Sequence, residues 1–155
     1  MRLLPRGNSS PLIHVRKTVA FDGTAGNGAV GTVNVFTITG RVIVERLSAY
    51  VSVVLASTSS LGTLSLGTTS DTVYFVNTSN YTDVVDKFLT TSGAGSKAGI
   101  AQQLGLKPYN GFTAVPSDMA ENMILTVATQ PYTSGSIIFD AWYLPITDNG
   151  ALVAA

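Results

Sequence analysis

The sequence predicts an all-β domain: an antiparallel β-sandwich or jelly roll of about seven or eight strands. Short runs of alternating apolar and polar residues recur along the chain, and turn-forming residues separate them. The alternation of strands with helices that is typical of a parallel sheet does not occur. A chain of 155 residues is also long enough for one domain to bury a sizeable core without a metal ion or a disulfide.

The composition is unusually poor in charge. Asp, Glu, Lys and Arg make up 12% of the residues and the formal net charge is zero, whereas ordinary soluble domains contain about 25% charged residues. Few charges give a free monomer little protection against association. We therefore expect partners to cover much of the surface; a surface coated with Ser, Thr and Gly is the alternative.

Several classes of protein are disfavoured at this level. The absence of cysteine excludes disulfides and Cys-ligated metal sites. No apolar run approaches the roughly 18 residues of a transmembrane helix, so we expect no membrane partner. The basic N-terminal residues lack the apolar region of a signal peptide.

The first element is predicted to be an extended basic arm at residues 1–18, followed by a single β-sandwich domain at 19–155. The arm holds four of the nine Lys and Arg residues and no acidic residue. Its Pro, Gly and Asn residues disfavour a helix or a central strand. A solvated terminus would suit the charges, but the apolar residues favour docking on a partner. The residues expected to bind that partner are Arg2, Leu3, Leu4, Arg6, Leu12, Ile13, Arg16 and Lys17.

A short strand is predicted at Val15–Phe21, and a Gly-rich loop follows it. Residues 31–57 then form the most regular stretch, in which apolar residues hold one parity up to Val44 and the opposite parity from Leu47 to Leu55. A one-residue slip cannot persist inside a flat strand, so the stretch must contain a bulge, a corner or a turn at Glu45–Arg46. We expect it to supply central strands paired with residues 123–144.

The next strands are predicted around Leu64 and Leu66 and at Thr72–Val76, with a polar turn after the second. From about 82 to 118 the chain has no sustained period and is interpreted as an irregular excursion. Helical spacing at 82–89 and near 98–104 makes short helical turns an open alternative there.

The remaining strands lie near the end of the chain. Residues 123–127 alternate, and 130–136 are predicted to form a hairpin connection in which Gly135 takes a positive φ. Residues 136–144 are apolar on both parities, as in a strand buried on both faces. Asp140 interrupts this run and is interpreted as a partner for a nearby Arg or backbone donor. Residues 151–155 are interpreted as a small apolar tail.

No catalytic constellation is visible. His14 is the one histidine, and it lies in the arm, so a Ser-His-Asp triad would require the arm to enter an active site. The nine carboxylates are scattered and show neither the facing pair of a glycosidase nor the spacing of a calcium loop. Four cations without aromatic neighbours are too few for a nucleic-acid site. We therefore expect no enzyme, cofactor, metal or nucleic-acid partner.

Two segments resemble a known class of protein: VNVFTITGRVIVERL, and ILTVATQPYTSGSIIFDAWYLPITDNG at the end of the core. Together with the basic arm, they resemble small structural proteins of tailed-bacteriophage virions, especially capsid decoration or cement proteins. The resemblance implies a homo-oligomer, a trimer or dimer, that binds the major capsid protein or other virion proteins on the outer capsid surface. Bridging of neighbouring capsid subunits would then stabilise the shell.

A second functional class stays open at this level. A carbohydrate- or host-surface-binding β-sandwich module of a phage tail or fibre would share the same composition. Exposed aromatic residues gathered in one cluster would favour that alternative. An arm that becomes ordered only in the assembly would favour the structural role.

Overall fold

The computed structural model describes residues 12–82, 87–89 and 121–155, which form two antiparallel β-sheets. The all-β prediction is confirmed. In chain order the strands are β1 (Ile13–Ala20), β2 (Gly31–Thr39), β3 (Val42–Ser57), β4 (Thr63–Thr68), β5 (Val76–Asn80), β6 (Lys87–Phe88), β7 (Met123–Ala128), β8 (Tyr132–Pro145) and β9 (Ala151–Ala154). No helix of the described part is long and apolar enough to cross a membrane.

The strand order is that of a jelly roll with one strand added. The first sheet has the order β1-β8-β3-β6 and the second has the order β5-β4-β7-β2-β9. Each early strand thus pairs with its counterpart near the end: β1 with β8, β2 with β7, β3 with β6, and β4 with β5. This pairing is produced when one long hairpin folds over into two sheets. β9 is added at the edge, beside β2.

One hydrophobic core lies between the sheets. Alternate residues of each strand point into it, as the period of a strand requires, and each large aliphatic side chain that is fully buried contributes about 1.5–3 kcal/mol. The largest of the fully buried side chains are Tyr81, Tyr132, Phe36, Phe139, Leu47, Leu55, Leu64, Leu66, Leu89, Met123 and Leu125.

The regular stretch at 31–57 supplies central strands, as predicted, but to both sheets. β2 pairs with β7 in the second sheet and β3 pairs with β8 in the first. Gly40 lies between them with a φ of 59°, a left-handed conformation that suits glycine. The predicted irregularity at Glu45–Arg46 is confirmed as a β-bulge, since Val44 pairs with Tyr143 and Arg46 with Trp142.

The prediction that the Val53 side chain lies in the core is wrong. Val53 was expected to follow Val51 into the core, but it is 54% exposed. The register shifts again between Val51 and Val53 and between Val53 and Ala56. These irregularities turn Val53 outward and return Leu55 to the core.

The strand predicted at Thr72–Val76 is displaced along the chain. β5 begins only at Val76 and runs through the polar residues that were interpreted as a turn. Asp71 explains the shift, because its carboxylate accepts a hydrogen bond from the Val73 N–H and its carbonyl oxygen accepts one from the Tyr74 N–H. These bonds fold the start of the predicted strand into a turn.

The end of the chain departs from the prediction in two respects. Gly135 has a positive φ of 106°, as expected, but it lies inside β8. β7 and β8 belong to different sheets, so their connection is not the expected hairpin. The residues read as an apolar tail form β9 and pair with β2.

Two predicted segments fall mostly outside the described residues. The excursion at 82–118 and its alternative helical turn at 98–104 belong there, apart from Thr82 and 87–89. Lys87 and Phe88 pair with β3 as β6, so this part of the alternative helix is wrong. β1 confirms the strand predicted near Val15–Phe21 and also includes the last residues of the predicted arm.

Candidate interaction site on the first sheet

The outer face of the first sheet carries two cross-strand rows of polar and aromatic side chains. The register of β1, β8 and β3 places three residues side by side in each row. The alternate residues of the same strands, such as Val19 and Ala141, belong to the core, so the rows face away from it. The Trp142 row consists of His14, Trp142 and Arg46, and the Asp140 row consists of Arg16, Asp140 and Ser48.

The bulge in β3 decides which charge stands in the Trp142 row. Val44 is opposite Tyr143, so a regular strand would place Glu45 opposite Trp142. The extra residue moves Arg46 into that position. The bulge therefore gives the row a cation where an uninterrupted strand would have given it a carboxylate.

Asp140 is the centre of the site. Its Oδ1 atom accepts a hydrogen bond from Arg16 Nε at 2.7 Å, and its Oδ2 atom accepts one from Arg16 Nη2 at 3.0 Å. His14 Nε2 lies 2.6 Å from the same Oδ1. The Asp140 side chain is 10% exposed, whereas those of His14 and Arg16 are 42% and 60% exposed. A mostly buried carboxylate is thus covered by two more exposed basic groups.

The electrostatics of this cluster favour an ionised carboxylate. Burial by itself raises the pKa of Asp140, but the hydrogen bonds from Arg16 and His14 outweigh burial and lower it overall. The same hydrogen bond to Asp140 raises the pKa of the Arg16 guanidinium. The two-pronged contact of Arg16 fixes the planar group as well as its charge. Arg16 is therefore held to β8 both by the strand ladder and by its side chain.

Trp142 lies between two basic residues. The His14 ring stacks on the indole with centroids 4.7 Å apart and an interplanar angle of 27°. The Arg46 guanidinium carbon lies 5.5 Å from the indole centroid, within the range of a cation–π contact. These contacts tie β1, β8 and β3 together across the outer face.

The arrangement is suited to holding strands together and to contacting a partner through cations. Groups of three or more potential metal ligands are not found among the described residues, and His14 and Asp140 are the two such side chains in the cluster. Arg46 is exposed, and Arg16 keeps more than half of its surface open to solvent. These positive groups can meet acidic groups of a partner.

The predicted partner-binding residues are distributed over different parts of the molecule. Arg16 belongs to the Asp140 row. Lys17 lies on the opposite parity, where its Nζ donates a hydrogen bond to the carbonyl oxygen of Ala155. Leu12 and Ile13, at the start of β1, are 48% and 40% exposed. The other four, Arg2, Leu3, Leu4 and Arg6, lie outside the described residues.

One contact of the cluster was predicted from the sequence, and the others were not. The interpretation of Asp140 as a partner for a nearby Arg is confirmed by Arg16. His14, Arg46 and Trp142 were not recognised as members of a site. The available signal was Asp140 itself, because a carboxylate inside an apolar strand requires basic groups on the neighbouring strands.

Comparison with known proteins identifies one likeness of fold. A chain of the "Cyanophage Pam1 capsid asymmetric unit" superposes with a TM-score of 0.52 at 19% sequence identity, and the match covers 94% of each chain. At this identity the likeness concerns the fold. No protein-family model matches the sequence, and no curated protein sequence matches it.

Proposed function

We propose that this protein is a structural component of a tailed-phage virion that decorates or cements the capsid by bridging neighbouring subunits on its outer surface. The observation that carries the proposal is the likeness of fold to a chain of a phage capsid asymmetric unit, which extends over 94% of both chains. The low charge of the chain supports it, since a chain with 12% charged residues suits a protein covered by partners.

The candidate site gives the arm a firm anchor. Leu12 joins residues 1–11 to β1, and the eight residues of β1 pair with β8 from Ile13 to Ala20. The Arg16–Asp140 contact adds a charged cross-link between the same two strands. A pull on the arm would be shared by the whole ladder and this cross-link. That is the mechanical property required of a bridging segment.

The proposed role is non-catalytic and needs no cofactor. It includes a homo-oligomer, either a trimer or a dimer, and contacts with the major capsid protein or other virion proteins. Arg16, Arg46 and the basic residues of the arm would meet acidic groups on those partners. Binding should then weaken as the salt concentration rises.

The carbohydrate-binding alternative lacks a specific observation in its favour among the described residues. It requires a cluster of exposed aromatic rings. Among the Phe, Tyr and Trp residues whose burial is described, Tyr74 is the most exposed, at 37%, and it packs edge-on against Phe75. Trp142 is stacked on His14 and contacted by Arg46, so its ring already has partners.

The decisive experiment is a truncation that leaves the jelly roll intact. Residues 1–11 should be removed and β1 retained, because the residues from Ile13 onward are part of the ladder with β8. Binding to capsids assembled without this protein, and the temperature at which those capsids break, are then measured for the full and truncated chains. We expect the truncated chain to bind more weakly and to protect capsids less.

A full-length variant separates charge from apolar contact. Arg2→Ser together with Arg6→Ser keeps the length and the leucines of the arm but removes two cations. We expect it to bind with reduced sensitivity to salt. If the truncated chain binds and protects capsids as well as the full chain, the arm is not the bridge.

A further inference from the structure

A groove of about 570 Å³ lies between β1 and β2 on one open side of the sandwich. The buried side chains of Val19, Phe21 and Val33 contribute its apolar surface. Polar residues of both strands, among them Thr18 of β1 and Asn34 of β2, also line it. A groove between two strands, with an apolar floor and polar walls, has the form that accepts an extended peptide.

Both strands beside the groove have an edge without a strand partner in the described part of the chain. β1 is the outermost strand of its sheet and pairs with β8 on one side. β9 covers β2 only from Phe36 to Thr39, and Gly31–Asn34 pairs with β7 on the other side. Unpaired N–H and C=O groups of this kind are a template for an added strand.

β9 sets the direction such a strand would take. It runs antiparallel to β2, and the Ala155 N–H continues its ladder by one bond to the Val35 carbonyl oxygen at 3.1 Å. Ala155 itself lines the groove. A peptide in the groove would therefore prolong the row of hydrogen bonds along β2, from Asn34 to Gly31.

We propose that this groove binds residues 1–11 of a second copy of the chain as an added strand, which joins the copies into the oligomer. The inference rests on the bridging role proposed for the arm, and it names the surface that receives it. Charge complementarity supports the choice. The segment carries Arg2 and Arg6 and no acidic residue, whereas the exposed carboxylate of Asp22 stands at the groove. The one cation of the groove lining, Lys17, already donates a hydrogen bond to the Ala155 carbonyl oxygen.

The carboxylate of Asp22 is held in a fixed orientation by Thr24. It accepts hydrogen bonds from the N–H of Thr24 at 2.8 Å and from the Thr24 hydroxyl at 2.6 Å. These bonds lower the pKa of Asp22, so the group is ionised at neutral pH and fixed in position.

The direction of the chain favours a second copy over the same copy. Residues 1–11 join β1 through Leu12, whereas the groove is lined by the second half of β1, from Lys17 to Ala20, and by Phe21 beyond it. The two ends of β1 are about 23 Å apart at the rise of a strand. The segment would have to reverse and run back to enter its own groove. Leading away from Leu12, its eleven residues span up to about 36 Å, enough to reach a neighbour.

Cysteine trapping tests the proposal directly, because these 155 residues include no cysteine. One full-length chain carries Asn34→Cys, and a second, affinity-tagged chain carries Leu3→Cys or Leu4→Cys in turn. Neighbouring residues of a strand face opposite ways, so one of the two positions shares the face of Asn34. The purified chains are mixed without capsids, oxidised gently and separated without reductant. A matched control replaces Asn34→Cys by Leu61→Cys, an exposed position outside the groove.

We expect a disulfide between tagged and untagged chains with Asn34→Cys, and only background with Leu61→Cys. Blocking the groove with Asn34→Trp should lower the oligomer mass measured by light scattering, as should removal of residues 1–11. Equal trapping with Asn34→Cys and with Leu61→Cys would overturn the proposal, and so would the absence of trapping with Asn34→Cys. So would an intrachain disulfide in a chain that carries both cysteines, since it would show the groove filled by its own arm. Loss of capsid binding by the truncated chain, with trapping absent, would leave the bridge to the capsid standing and reject this groove.

Discussion

At the scale of single residues, Asp140 explains most of the candidate site. It is a mostly buried carboxylate in a strand that is otherwise apolar on both parities. Such a group is stable only when basic partners satisfy it, and β1 supplies both His14 and Arg16. The charge at Asp140 therefore fixes the first strand of the jelly roll to its neighbour, 124 residues away from Arg16 in the chain.

The pH dependence of stability tests this role. The folded-state pKa of Asp140 is lowered, so ionised Asp140 stabilises the fold fully above the unfolded value of about 3.9. This stabilisation is lost as the pH falls through the lower folded value. Asp140→Asn should reduce the free energy of unfolding at neutral pH by about 1.5–3 kcal/mol, the typical contribution of hydrogen bonds to a charged group.

The measurement is urea unfolding of the two proteins between neutral pH and about pH 3. The difference in stability should shrink towards the acid end. Asp148→Asn is the matched control, since Asp148 is exposed in the turn after β8 and undergoes the same loss of charge. A difference that stays constant down to the lowest pH would contradict the role of the ionised carboxylate.

At the scale of elements, the sequence predicts regular strands well and irregular ones poorly. The parity change in β3 was enough to locate the bulge at Glu45, because a strand with one buried face has an apolar side chain at every second residue. The later shifts around Val53 follow each other too closely for any parity to be established. β5 was not predicted for another reason. It is an edge strand in which Asn, Thr and Ser residues follow Val76. The apolar residues before it belong partly to the turn that Asp71 stabilises.

Gly135 offers a test of one such irregularity. It has a φ of 106° inside β8, and a Cβ atom there would lie 2.3 Å from the Val54 carbonyl oxygen. Gly135→Ala therefore combines a left-handed backbone, costing about 1–3 kcal/mol, with a backbone clash. Gly26→Ala is the matched control, since Gly26 has a φ of 79° and open space around it. We expect a clearly larger fall in the urea midpoint for Gly135→Ala; equal effects would mean that the clash is relieved without loss.

At the scale of the whole molecule, the fold class was predictable and the connections between strands were not. The number and spacing of strands indicated a sandwich or jelly roll, and the pairing of residues 31–55 with 123–144 was predicted correctly. The sequence could not show that β2 and β3 enter different sheets, or that His14 lies against Trp142. Those facts depend on pairings between distant segments, and one chain carries no local signal for them.

The folded-over hairpin also dictates an order of assembly. Leu64 pairs with Ser79 across a short loop, whereas Ile13 pairs with Tyr143 across most of the chain. The entropy lost on closing a loop increases with its length, so β4–β5 should form early and β1–β8 late. Leu66→Ala in β4 should then slow refolding, while Val19→Ala in β1 should mainly speed unfolding, as stopped-flow kinetics in urea can measure. Equal effects on the refolding rate would contradict this order; if it holds, β1 is added beside β8 only after the rest of the sandwich has formed.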